Sequence, residues 1–113
     1  MGSLAIRLDI EPVRSIDFGS IGAAYTGIGT AMTRPIRMFF LQNLTDVDLF
    51  FSLNGIDDHF PLPANGYLLL DITSNKTIPQ GFFLAEGQRV YVKELGVPTN
   101  GTVYLTTFFG ADL

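Results

Sequence analysis

Large apolar side chains in this chain recur at every second position, the spacing that places them on one face of a pleated strand. Leu4, Ile6, Leu8 and Ile10 alternate with Ala5, Arg7 and Asp9 until Pro12 ends the run, and Val13 to Phe18 makes a second short piece. From Pro35 onward the pattern becomes dense. Ile36 to Leu44 and Val47 to Leu53 read as two strands joined by a polar hairpin around Thr45-Asp46. In the second strand Val47, Leu49, Phe51 and Leu53 are expected to face inward, with Asp48, Phe50 and Ser52 outward. Asn54-Gly55 suits a tight turn. Asp57 to Ala64 is polar and interrupted by Pro61 and Pro63, Tyr67 to Thr73 is the next strand, and Ser74-Asn75-Lys76 closes it. Phe82 to Ala85, Gln88 to Leu95 and Thr102 to Phe109 supply three more, separated by Glu86-Gly87 and Val97-Pro98-Thr99-Asn100-Gly101. No window of about 11 residues keeps a helical apolar stripe free of Gly or Pro. Short strands at this spacing predict an all-β fold, a single antiparallel β-sandwich or jelly-roll-like barrel.

Gly19 to Thr33 breaks the pattern. It holds Gly19, Gly22, Gly27 and Gly29 among alanines and threonines, and small side chains build little core. A stretch of this length without firm structure is uncommon inside a compact domain and usually marks function or an interface. The expected organisation is therefore an N-terminal strand and extended arm over residues 1–34, followed by the β-sandwich domain over 35–113. On this reading Leu4, Ile6, Leu8 and Ile10 pair with the sheet edge of a neighbouring subunit, and Tyr25 and Ile28 are the large contact residues of the arm. Deleting residues 1–18 is then expected to leave a folded domain that no longer assembles.

Composition sharpens the picture. The 113 residues leave room for one core, and 47% of them are apolar while only 16% are charged, against about 25% in an ordinary soluble domain. So few charges cannot cover a monomer, and part of the apolar surface is expected to lie against another chain, most simply in a homo-oligomer. The net charge of −4 and seven scattered basic residues argue against a nucleic-acid partner, which needs a basic patch. No run reaches the ~18 apolar residues of a membrane helix, and no basic-then-apolar signal segment opens the chain, so no membrane partner is expected. There is no cysteine, which removes disulfides and thiolate zinc sites.

Candidate chemistry is sparse. Asp57-Asp58-His59, with Asn54 nearby, has the oxygen-rich character of a calcium loop but matches no such loop in spacing. Asp and Asn are common in solvated turns for backbone reasons. Gly22 to Gly27 has the glycine spacing of a phosphate loop without its Lys, and Gly27-Ile28-Gly29 lacks the third glycine of a dinucleotide fingerprint. Asn43, Asn75 and Asn100 each begin an Asn-x-Thr triplet, which turn chemistry explains. No Gly-x-Ser-x-Gly elbow surrounds Ser20 or Ser52, and the chain has a single histidine. We expect no catalytic residues, no metal, no cofactor and no enzymatic activity. Phe50, Phe39 or Phe40, Tyr104 and Phe108 fall opposite the inward face of their strands. Stacking on a sugar or a base is one use for them; burial against a second layer or a subunit, marked above all at Phe50 and Phe108, is the other.

A family resemblance rests on particular residues. Arg37-Met38-Phe39-Phe40-Leu41-Gln42-Asn43-Leu44-Thr45-Asp46, Phe51-Ser52-Leu53-Asn54-Gly55, Leu62-Pro63-Ala64-Asn65-Gly66, Leu70-Asp71-Ile72-Thr73-Ser74-Asn75-Lys76, Tyr91-Val92-Lys93 and Gly101-Thr102-Val103-Tyr104 together resemble small virion structural proteins of tailed bacteriophages. The resemblance covers about residues 35 to 107 and is made of turn and strand positions; residues 1–34 have no counterpart in it. It implies a shared scaffold and a virion component assembled in the bacterial host cytoplasm. The leading expectation is a capsid decoration or cement protein that contacts itself and the major capsid protein. A head–tail junction (neck) or tail component is the alternative, and a carbohydrate- or ligand-binding β-sandwich module is the reading outside viruses.

Overall fold

The computed structural model describes residues 6–71 and 87–112. Among them run nine strands: β1 (Ile6–Ile10), β2 (Arg14–Asp17), β3 (Thr26–Gly27), β4 (Ile36–Asn43), β5 (Leu49–Ser52), β6 (Phe60–Leu62), β7 (Tyr67–Asp71), β8 (Tyr91–Glu94) and β9 (Thr102–Asp112). All pairings are antiparallel, and the described residues contain no α-helix. One sheet has the order β1-β9-β4-β7 with β2 also on β9; the other has the order β3-β8-β5-β6. The two pack face to face as a β-sandwich. The expected strands at 72–73 and 82–85 and the turn at 74–76 lie outside the described residues.

β9 organises the first sheet. Its length lets one edge carry both β1 and β2 while the other carries β4. β1 and β2 are one strand interrupted by a bulge: Ile10 faces Phe108 and Arg14 faces Leu105, so three residues oppose two. Pro12 sits in that bulge, where no ladder N–H is required of it. A second bulge at Arg37 shifts β4 against β9 between Ile36 and Met38.

The core lies between the sheets. Phe39 and Leu41 of β4 and Val103 and Leu105 of β9 meet Leu49 and Phe51 of β5 and Val92 of β8, all at 1% exposure or less. Val47 and Leu53 pack against this cluster, as the alternation predicted.

Two expectations are corrected. First, Ile36 to Leu44 and Val47 to Leu53 are not a hairpin. β4 pairs with β7 and β9, whereas β5 pairs with β6 and β8, so the chain crosses from one sheet to the other at 44–48. An alternating pattern looks the same whether two strands share a sheet or face each other across a core. Asn43 decides between them. It is fully buried; its amide donates to the carbonyls of Val47 (3.0 Å), Leu62 (3.1 Å) and Pro63 (3.1 Å), and its Oδ1 accepts from the Thr45 N–H (3.1 Å) and hydroxyl (2.6 Å). These bonds hold the crossing where a hairpin would hold a ladder.

Second, the described part of the N-terminal segment is no detached arm. Ile16, Ile21, Ile28 and Met32 belong to the core cluster. The segment runs beside 87–94 through backbone bonds from Ile28 N–H to Val90 C=O (2.8 Å), Met32 N–H to Gln88 C=O (2.8 Å) and Glu94 N–H to Gly22 C=O (2.9 Å). Its small residues serve close approach. A Cβ on Gly27 would lie 2.2 Å from the Arg89 guanidinium, and Gly29, at φ +63°, faces the Arg14 stem.

Candidate interaction surface

The outer face of the first sheet is built by the odd partners of the core residues. Three rows cross it in register. Ser15, Tyr104, Gln42 and Tyr67 form one; Thr106, Phe40 and Leu69 the next; Ile10, Phe108, Met38 and Asp71 the third. Tyr67, Ile10, Leu69 and Tyr104 are exposed at 67, 56, 54 and 37%, and Met38, Phe40 and Phe108 are half-buried. The Phe40 and Tyr67 rings meet edge to face at 5.6 Å, which fixes the Tyr67 ring over the middle of the face. The rows contain no lysine, arginine or glutamate, and their one acid, Asp71, stands on the edge strand β7. A contiguous apolar face of this kind marks a contact site more often than a solvated surface.

The outer face of the second sheet is partly covered by its own chain, with Phe50, Tyr91 and Lys93 half-buried and Pro61 exposed. Ser52, expected to point to solvent, does lie on that side but is fully buried under the 53–58 loop. Its hydroxyl accepts from the N–H groups of Asn54 (3.2 Å) and Gly55 (3.0 Å), and Asn54 Oδ1 accepts from those of Ile56 (2.8 Å) and Asp57 (2.9 Å). Gly55, at φ +75°, lies flat on the Tyr91 ring, where a Cβ would approach to 3.3 Å. Beside the loop, the Tyr25 hydroxyl donates to Asp58 Oδ1 at 2.5 Å and Lys93 Nζ reaches the same oxygen at 2.8 Å. Lys93 Nζ also lies 4.9 Å from the Tyr25 ring centre and 5.7 Å from that of Phe50. Burial and then the Asp58 bond push the Tyr25 hydroxyl well above its ordinary value, and Lys93, followed by Tyr25, holds the Asp58 carboxyl below its own.

With both faces described, the chain can be set beside known proteins. No family model, curated protein or solved structure matches it. The surface therefore has to be read from its own residues.

Of the residues expected to make contacts, Ile10 and Phe108 stand opposite each other on the open face. Ile6 and Leu8 lie on β1, in register with Asp112 and Gly110, within the chain's own sheet and not an added strand of a neighbour's. Leu4 lies outside the described residues. Tyr25 and Phe50 flank Lys93 on the other side of the sandwich. Ile28 is corrected to a core residue: it is fully buried, because the flanking Gly27 and Gly29 let that segment settle against β8. Tyr67 and Leu69 were missed as surface residues. Their alternation with the inward Leu68 and Leu70 was the available signal, hidden in an unbroken apolar run.

The polar clusters have structural duties. Asp57 accepts from Asn54 Nδ2 (2.9 Å), Asp58 is held by Lys93 and Tyr25, and His59 Nδ1 accepts the Leu53 N–H (2.9 Å). The three side chains thus turn to different partners. A shallow cleft of about 390 Å³ opens between the 11–15 bulge and 29–33. Beneath it, Arg14 donates to the carbonyls of Thr30 (2.7 Å) and Ala31 (3.0 Å) and to the Thr107 hydroxyl (2.8 Å), and pairs with Glu11 at 2.9 Å. Thr107 and Thr33 complete the Glu11 carboxylate. Burial raises the Glu11 carboxyl, but the bonds from Thr33, Thr107 and Arg14 outweigh it and hold the group below its ordinary value. This knot ties the small-residue segment to the first sheet.

Proposed function

We propose that this protein is a structural subunit of a tailed-phage virion, a capsid decoration (cement) protein, with no reaction of its own. The observation that carries the reading is the open face of the first sheet: a largely apolar surface whose rows hold a single charged residue, Asp71 at the edge, on a sandwich whose other face its own loop partly covers. Such a surface suits repeated contact on a symmetric shell, with the major capsid protein and with further copies of the chain as partners. The resemblance of residues 35 to 107 to small virion proteins points the same way. A neck or tail position is the alternative within the particle. Proteomic analysis of density-banded particles from the source strain tests the reading. Decoration of the shell requires a copy number comparable with that of the major shell protein; a copy number of about a dozen or fewer would move it to the neck or tail. Absence from the particles would rule out a virion role.

The Tyr104–Gln42–Tyr67 row favours a second reading, a ligand-binding module. Adjacent strands lie ~4.8 Å apart, so two aromatic residues flank an amide about 10 Å from end to end, a span that suits two sugar rings. Retention of the protein by a glycan array, lost with Tyr67→Ser, would support this over a virion role.

A further inference from the structure

We infer that the open face of the first sheet binds a second copy of this chain, giving a two-fold dimer in which two sandwiches stack sheet against sheet. The inference rests on the assembly reading above in taking this face as a contact surface, and it names the occupant.

Area is the first argument. From the exposures of the four open residues and the half-buried side chains between them, polar atoms included, the face presents roughly 700 Å², close to the ~800 Å² per partner of a standard interface. A patch at that size is sufficient for one specific partner without further surface.

Charge is the second. Each copy carries a net −4, so two copies repel wherever carboxylates would meet. On the second sheet's side, Asp57 and Asp58 stand exposed in the 53–58 loop, and Asp46 and Asp48 stand exposed at the sheet-to-sheet crossing. The rows of the open face hold only Asp71, at the β7 edge, which leaves the centre of the contact free of like charge. A partner selected by charge would need complementary groups at that centre, and none is present among the described residues.

Shape is the third. An isologous contact must be self-complementary. The middle row runs from the small Thr106 through Phe40 to Leu69, and a two-fold axis along the strands sets the Thr106 side of one copy against the Leu69 side of the other when two sheets pack about 10 Å apart at the usual −30°. The dimer axis passes close to Phe40 and Thr106.

Because the chain has no cysteine, a single introduced one reports proximity cleanly. Light scattering on the full chain at ~100 µM should give twice the 12.4 kDa monomer mass, a micromolar or tighter association at this interface size. Leu69→Asp should weaken association at least about 100-fold with an unchanged far-UV spectrum, since the residue already faces water in the monomer. Thr106→Cys should form an intermolecular disulfide on mild oxidation, and Ala23→Cys, exposed elsewhere, should not. A monomer mass at every concentration overturns the inference, as does a dimer that Leu69→Asp leaves intact while Ala23→Cys cross-links. A monomer that is nevertheless found in virions removes the dimer and leaves the assembly reading; a dimer absent from virions does the reverse.

Discussion

Asn43 shows how much one side chain decides here. Its five polar contacts hold the crossing between the sheets, and its burial also removes the Asn43-Leu44-Thr45 triplet from use as a glycosylation acceptor. Asn43→Leu keeps the volume but takes this partner from the Leu62 carbonyl and the Thr45 N–H, while the Val47 carbonyl keeps the Thr45 hydroxyl and the Pro63 carbonyl keeps the Gly66 N–H. The expected loss is about 2–4 kcal/mol, read as a lower denaturant midpoint at unchanged slope. Glu11 is the other decisive polar residue. Because the folded state holds its carboxyl below the ordinary value, its stabilisation is complete above about pH 4.3, the unfolded value, and is lost as pH falls through the folded one. The thermal midpoint should therefore drop on the acid side, and Glu11→Gln should flatten that limb while costing about 3 kcal/mol at neutral pH by leaving Arg14 buried without its counter-charge. A variant with the same acid limb as the parent would place the titration elsewhere.

Among the elements, β2 and β5 make opposite points about what alternation can reveal. In β5, Leu49 and Phe51 are core residues, as read from the sequence, and Phe51→Ala should cost about 3–5 kcal/mol in chemical denaturation. A loss below ~1 kcal/mol would contradict the packing, in which Phe51 stacks on Phe60 at 5.7 Å between ring centres. β2 was read as part of a removable arm. Its Ile16 lies in the core and its Arg14 anchors 30–31 through two carbonyls, so deleting residues 1–18 should leave a chain without a cooperative unfolding transition. The same deletion would also bare the whole of one edge of β9, a template for unwanted pairing. Circular dichroism and a melting curve on the truncated chain check this; a folded, monomeric product would restore the arm.

At the scale of the molecule, the pairing is strongly non-local. The first strand closes on the last, with Ile6 opposite Asp112, and β9 must arrive before β1, β2 and β4 have their shared partner. Loops of that length carry the closure cost before any contact offsets it, so refolding from denaturant should take milliseconds to seconds. Stopped-flow fluorescence of the tyrosines is a suitable probe, and a microsecond phase carrying the full amplitude would contradict the topology. The same topology leaves the two outer faces unequal. One is partly covered by the 53–58 loop and the Tyr25–Asp58–Lys93 contacts, while no other described segment covers the rows of the other, and that inequality is a property of neither sheet alone.

What the sequence by itself determined is the class of the fold, the inward residues around β5 and the outward ones of β9. Two-residue periodicity, turn residues and the absence of a helical stripe are local signals, and where apolar and polar residues alternate, as in β5, the inward face follows from them. The excess of apolar over charged residues was likewise visible, and with it the expectation of a covered surface. Only the tertiary structure decided which strands pair, because alternation is blind to whether a neighbour lies in the same sheet or across the core. It also decided the fate of Gly19 to Thr33. Missing side chains read locally as missing structure, yet at Gly27 and Gly29 the missing Cβ is what admits Arg89 and Arg14. The open face belongs to the same category. Ile10, Phe40, Leu69 and Phe108 come from four strands spread along nearly the whole chain, and only the register of those strands brings them onto one surface.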